Sequence, residues 1–188
     1  MRDWEKYLNE FDPSLELIHE KASLRACELA VKAAELGTFG VGAVLLDERG
    51  EIMLEGHNEV FVGGFRSDLH AEMVVMNKLE TSPALSEMVG DYTLVTSLEP
   101  CPMCMTRLIF SGVGTVLHVR ADDIGGMVQR KSLLPPVFRE ISESQGQVWG
   151  LAECSAKLRD AAFHIWDQSR PGLDNRLASR QRRAKNDP

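Results

Sequence analysis

Two short clusters in this 188-residue chain carry side chains suited to hold a metal ion and move a proton: His70-Ala71-Glu72 and, 27 residues further on, Pro100-Cys101-Pro102-Met103-Cys104. Each alone is ambiguous. A Cys-x-x-Cys serves as a redox pair, as half of a structural zinc site or as a pair of core thiols, and His-x-Glu arises by chance in many helices. Together they match what zinc hydrolysis requires: three protein ligands, a fourth position left for water, and a group that moves protons. His70 with the thiolates of Cys101 and Cys104 supplies the ligands, and the Glu72 carboxylate is the candidate base. Two thiolates formally cancel the charge of Zn²⁺, so water there is less acidic than on an all-histidine site, where its pKa falls to about 7, and a nearby base must help. The rival is a closed structural zinc module, with Cys27, Cys154, His57, His118 or His164 as fourth ligand.

The elements that must position these residues follow from apolar spacing. Leu17, Ile18, Ala22, Leu24, Cys27, Leu29, Ala30, Val31 and Ala34 recur at three- and four-residue steps, which predicts an amphipathic helix from Ser14 to Glu35, stopped by Gly37 and Gly40. Val41 to Asp47 reads as a buried strand, Glu48-Arg49-Gly50 as a turn, and Ile52 to His57 as the hairpin partner. A loop from Glu59 to Leu69, with Gly63-Gly64, delivers the chain to a helix over His70 to Glu80. Tyr92 to Ser97 is β-branched and predicts a strand; Pro100 precedes a helix that runs through Phe110 and ends at Gly112 and Gly114. Val113 to Val119 predicts another strand, Arg120 to Lys131 a loop, Ser132 to Ser144 a helix broken by Pro135-Pro136, Gln147 to Trp149 a short strand, and Leu151 to Gln168 an amphipathic helix. Helices at both cysteine and histidine sites would place positive helix ends beside the ligands and favour ionised thiols. Cys27 and Cys154 read as small core residues within helices. Alternating strands and helices imply an α/β sandwich.

Composition narrows the class. Hydrophobic residues are 44% and charged residues 26% of the chain, the balance of a globular protein with a packed core. The 21 Lys and Arg against 28 Asp and Glu leave a net charge of −7, which does not favour polyanions, and 6% aromatics are too few for a platform that stacks single strands. Between Arg170 and Lys185, however, six basic residues face only Asp174, so a local basic patch stays open as an RNA contact. No stretch approaches the roughly 18 to 20 apolar residues of a membrane span, and Met1 to Glu20 lacks a secretory h-region. A cytoplasmic chain is expected, with its four cysteines as thiols or metal ligands.

His-Ala-Glu followed by Pro-Cys-Pro-Met-Cys resembles the cytidine and nucleobase deaminase superfamily of zinc enzymes, over about Gly40 to Val119. The resemblance implies zinc held by His70, Cys101 and Cys104, proton transfer by Glu72, and a base contact from Asn58, whose other reading is a turn residue. It implies a three-layer α/β/α sandwich around a five-stranded mixed sheet, and a homodimer. The deaminase domain would span residues 1–170, and residues 171–188 would form a basic tail, disordered or docked. Thr96 to Cys101 is similar to the guanine, cytosine and transfer-RNA adenosine branches. The editing members carry Asp-Pro-Thr-Ala before the histidine where this chain has Arg66-Ser67-Asp68-Leu69, and relatives carry Gly-Ala where Thr106-Arg107 stand here. The expectation is therefore a hydrolytic deaminase of a small base or nucleoside of guanine or cytosine type, releasing ammonia, with transfer-RNA adenosine deamination as the alternative.

Overall fold

The computed structural model describes residues 3–183, with side chains described through residue 180. Five strands form one sheet in the order β2-β1-β3-β4-β5: β1 (Gly42–Leu46), β2 (Ile52–His57), β3 (Thr93–Leu98), β4 (Thr115–Arg120) and β5 (Val148–Leu151). The sheet is mixed, because β1 runs antiparallel to β2 and β3 while β3, β4 and β5 are parallel. The pleat sends alternate residues of one strand to opposite faces. Val44 and Leu46 join Val95 and Leu117 beneath α1 (Trp4–Asn9), α2 (Glu20–Glu35) and α7 (Ala156–Arg183), whereas Ala43 and Leu45 join Leu94 and Val116 beneath α3 (Ala71–Glu80) and α5 (Pro102–Ser111). Two apolar faces require two helical layers, which gives the three-layer α/β/α sandwich. The short α4 (Pro83–Ser86) and α6 (Pro136–Ser144) complete the chain, and α6 packs beside α5 through Phe138 and Ile141. Among the described residues no helix is long and apolar enough to cross a membrane.

Three departures from the spacing-based expectation have physical causes. The helix expected from Ser14 starts at Glu20, because Leu15 (88% exposed) and Ile18 (75% exposed) have no core to dock on and helical turns without packing are marginal. Cys154 lies in the β5–α7 connection, not in a helix, although it and Cys27 are both buried as core residues. Pro171-Gly172 predicts a helix end, yet α7 continues through it. Proline forfeits one backbone hydrogen bond, but buried Leu173 and an Arg170–Asp174 pair one turn apart hold the continuation. The basic segment is thus helical through Arg183; residues 184–188 lie outside the described residues.

Close approach sets where α3 begins. Gly56 on β2 faces the first turn of α3 so tightly that a Cβ there would lie 2.7 Å from the Ala71 carbonyl oxygen and 3.1 Å from the Val75 amide nitrogen. Backbone cannot yield as a side-chain tip can, so the missing Cβ lets α3 rest on the sheet. Substituting Gly56→Ala is expected to cost about 1–3 kcal/mol and lower Tm by about 3–10 °C. Calorimetry reads this directly, and an unchanged Tm would show that α3 does not rest on β2 this way.

Candidate active site

All the candidate residues sit at one end of the sheet, where β1 begins and β2, β3 and β4 end. His70 is the residue immediately before α3, with φ −67° and ψ 159°, and Cys101 holds the same position before α5, with φ −72° and ψ 170°. Pro102 follows Cys101 as the first helical residue, where its missing N–H costs nothing. Extended backbone at the cap turns each side chain toward the other helix start, and Cys104 follows one turn into α5. The result is a tight triangle: His70 Nδ1 lies 3.6 Å from Cys101 Sγ and 3.5 Å from Cys104 Sγ, and the two sulfurs are 3.6 Å apart.

The triangle can be tested against a metal. A tetrahedral zinc ion, about 2.3 Å from sulfur and about 2.0–2.1 Å from nitrogen, spaces its ligands about 3.8 Å sulfur to sulfur and about 3.5 Å sulfur to nitrogen. The three observed edges fit one face of such a tetrahedron. Among the described residues, the clustered ligand atoms are those of His70, Cys101 and Cys104. The rival fourth ligands stand elsewhere: Cys27 is in the core on the far face of the sheet, Cys154 packs there too, and His164 is exposed and stacked 5.9 Å from Trp4. His57 faces Glu59 at 3.7 Å. His118 is buried on β4, with neither ring nitrogen hydrogen-bonded, and burial pushes its pKa down so that it stays neutral.

Charge on these buried groups is poorly solvated, and their proton affinities shift accordingly. Burial pushes the Glu72 carboxyl up to about 7, against the pull of His70, while charge on Cys101 adds to the rise. Hydrogen bonding with Cys104 holds the Cys101 thiol down at about 4, with His70 helping and burial opposing. The partner thiol of Cys104 is correspondingly pushed well up, by Cys101 and by burial. Burial opposes charge on His70, yet the Cys101 sulfur and the Glu72 carboxylate outweigh it and raise its pKa. Two sulfurs and a carboxylate brought together away from water thus share protons; a divalent cation suits the same donors.

Asn58, buried at 3% exposure, stands at the end of β2. Its Oδ1 accepts from Thr38 Oγ1 at 2.6 Å and from the Val60 N–H at 3.1 Å. A backbone N–H can only donate, so the facing atom is the oxygen, and the Nδ2 end is left to donate elsewhere. The turn reading and the ligand reading are therefore compatible at this one residue. Two contributors were not singled out from sequence. Thr38 follows the α2 end at Gly37, whose φ of 74° only glycine adopts readily, and nothing in its spacing marks it. Glu99, 4% exposed, accepts from the N–H groups of Asp122 and Gln129, both at 2.9 Å, and so ties down the loop after β4. A Cβ at Gly126 would run into that carboxyl. Its place directly before Pro100-Cys101 was a signal that could have found it.

Comparison with known proteins gives the family of the chain. Residues 17–119 match the cytidine and deoxycytidylate deaminase zinc-binding region, a span that contains Thr38, Asn58, His70, Glu72, Cys101 and Cys104. The tRNA-specific adenosine deaminase of Bacillus subtilis is 38% identical over 101 residues, 54% of this chain and 61% of that protein. The guanine deaminase of Bacillus subtilis is 29% identical over 100 residues, 53% of this chain and 63% of that protein. The chain spans less than two thirds of the length of the curated relatives it matches. A solved structure of guanine deaminase from Nitrosomonas europaea shares the fold, with TM-score 0.62 at 22% identity over 90% of this chain and 93% of that one. With more than half its length matched, and the His-Cys-Cys triangle inside the match, the chain belongs to the cytidine and deoxycytidylate deaminase zinc-binding family.

Proposed function

We propose that this protein is a zinc-dependent hydrolytic deaminase that replaces the exocyclic amine of a small heteroaromatic base or nucleoside, of guanine or cytosine type, with oxygen and releases ammonia. The observation that carries the reading is the triangle of His70, Cys101 and Cys104 with the buried Glu72 carboxyl beside it. Three ligands with no fourth among the described residues is the pattern of a catalytic site and not of a closed structural one. A bound zinc ion supplies Lewis-acid activation of water at such a site.

The remaining work falls to this chain's own groups. Glu72, its buried carboxyl beside the triangle, takes a proton and returns it to the ring and the departing amine. Asn58, its oxygen engaged by Thr38 and Val60, offers its Nδ2 donor to an acceptor on the base and so orients the ring. The loop from Glu59 to Leu69 and the loop from Ala121 to Arg130, the latter held by Glu99, are the walls. Net charge of −7 and the departure from the editing pattern at Arg66 to Leu69 favour a small substrate. Similarity to tRNA-specific adenosine deaminase at 38% identity keeps adenosine in transfer RNA as the second reading. A homodimer, with exposed Phe110, Leu133 and Val137 available around α5 and α6, belongs to the same proposal.

Assaying ammonia release from guanine, cytosine, adenine, their nucleosides and transfer RNA tests the reading, with Glu72→Gln as the blank. Turnover of at least one small base is expected, falling about 10²- to 10⁴-fold in Glu72→Gln while bound zinc stays at wild-type level. Turnover of transfer RNA alone would move the assignment to the second reading, and no turnover of any substrate would overturn both. Metal content supplies an independent check. Zinc measured by mass spectrometry should be near one per chain in the wild type and lost from Cys101→Ala; full retention would mean that the triangle is not the metal site.

A further inference from the structure

We propose that the basic half of α7 is a positioning strap for the substrate wall, in which Arg176 and Arg180, stacked on Phe61 and Phe65, hold the loop between Asn58 and His70 in its closed course. This rests on the deaminase reading above and adds to it the residues that set affinity for a small base. The loop joins two site residues directly, since Asn58 precedes it and His70 follows it, and Glu59 donates its N–H to the Leu69 carbonyl at 2.8 Å to close its neck. Beyond that neck, the loop is held by buried Val60 and by backbone hydrogen bonds from Val62 to Glu59, Arg66 to Val60 and Leu69 to Arg66, while its tip carries two glycines at positive φ, exposed residues and an ion pair between Arg66 and Asp68. Its rings are what give it somewhere to rest. Phe61 lies 6.0 Å from Phe39 and 5.5 Å from Phe65, a run of three half-buried aromatics.

Helix α7 closes over this run. Arg176 sits 4.1 Å from the centre of the Phe61 ring and Arg180 sits 3.6 Å from that of Phe65, both at cation–π distance. The same helix grips the segment on the other side of Asn58. Ser169 Oγ accepts from the Gly40 N–H at 2.9 Å, and Arg176 donates to the Gly37 carbonyl at 3.4 Å. Gly37 and Gly40 flank Thr38, the residue whose hydroxyl donates to Asn58 Oδ1. So α7 supports Asn58 twice, through the 37–40 segment before β1 and through the loop after β2. The i, i+4 spacing of Arg176 and Arg180 puts both guanidinium groups on one face of the helix, matched by the i, i+4 spacing of Phe61 and Phe65. Arg170, the remaining described arginine of the segment, faces the Trp166 ring at 4.5 Å and Asp174 at 3.3 Å. Each arginine of this run whose side chain is described, Arg170, Arg176 and Arg180, is thus stacked on one of the chain's own rings.

The test uses the zinc-loaded full-length protein with whichever of guanine, cytosine, adenosine and cytidine it turns over. The double substitution Arg176→Ala/Arg180→Ala is expected to raise KM by about five- to thirtyfold, the worth of two exposed cation–π pairs, and to leave kcat within about twofold. Phe61→Leu/Phe65→Leu should reproduce that shift without altering charge, and Arg176→Lys/Arg180→Lys should recover part of it. Zinc content stays at wild-type level in all three, and hydrogen exchange of the amides from Val60 to Leu69 quickens in the first two. Unchanged KM and unchanged exchange in the arginine double variant would overturn the strap. Loss of transfer-RNA binding in that variant, with KM for the base and loop exchange both unaltered, would overturn it in favour of a nucleic-acid arm. If the wild type turns over none of the four compounds, the deaminase reading of small bases fails by itself; the exchange of residues 60–69 then still decides the strap.

Discussion

His70 Nδ1 and the sulfurs of Cys101 and Cys104 stand within 3.6 Å of one another although His70 and Cys101 are 31 residues apart in the chain. Bringing three such groups together out of water demands two helix starts aimed at a common point, and the sheet provides them. β2 leads through a loop to α3 and β3 leads directly to α5, both from the same end of the sheet. The Gly56 contact lets α3 lie down on β2, and Pro102 fixes the entry of α5. Of the three candidate ligands, His70 and Cys101 stand at helix caps and so have extended backbone, while Cys104 lies in the first turn of α5.

Burial gives that geometry its chemistry. A carboxyl at the surface stays ionised at neutral pH; enclosed beside two sulfurs, the Glu72 carboxyl is pushed up to about 7 by burial. Hydrogen bonding between the two thiols splits them, holding Cys101 low against the opposing effect of burial and, together with burial, pushing Cys104 high. The apolar residues of α3 and α5 packed on the sheet therefore do more than stabilise the fold: they keep the solvent from levelling these differences.

Around the triangle stands a second group of residues that touch one another more than they touch the ligands. Thr38 and the Val60 amide orient Asn58, Glu99 anchors the loop after β4 through Asp122 and Gln129, and α7 reaches both segments that flank Asn58. These contacts join the end of α2, the β2–α3 loop, the β4 end and the last helix. These contacts consequently join parts of the chain that lie as far as 139 residues apart, as Gly37 and Arg176 do.

Residue types and their spacing marked the candidate site residues and the order of the five strands with α2, α3, α5, α6 and α7, while the short helices α1 and α4 carried no such mark. A histidine, a glutamate and two cysteines near helix starts are legible because metal ligation and proton transfer restrict residue type severely, and continuous apolar runs marked β1, β3 and β4 because both faces of those central strands are buried, while the half-exposed edge strands β2 and β5 carried a weaker mark. Start points such as Glu20 in place of Ser14 were not legible, since a helix begins where its apolar face first finds a partner, and Leu15 and Ile18 find none. Pro171-Gly172 misled for the same reason in reverse: local preference says stop, while buried Leu173 and the stacked arginines beyond it carry the helix onward. Tertiary structure alone decided that Thr38 holds Asn58, that Glu99 holds a loop, and that the basic segment lies against Phe61 and Phe65. Those roles come from through-space contacts between segments remote in sequence, and neither periodicity nor local residue spacing carries that information.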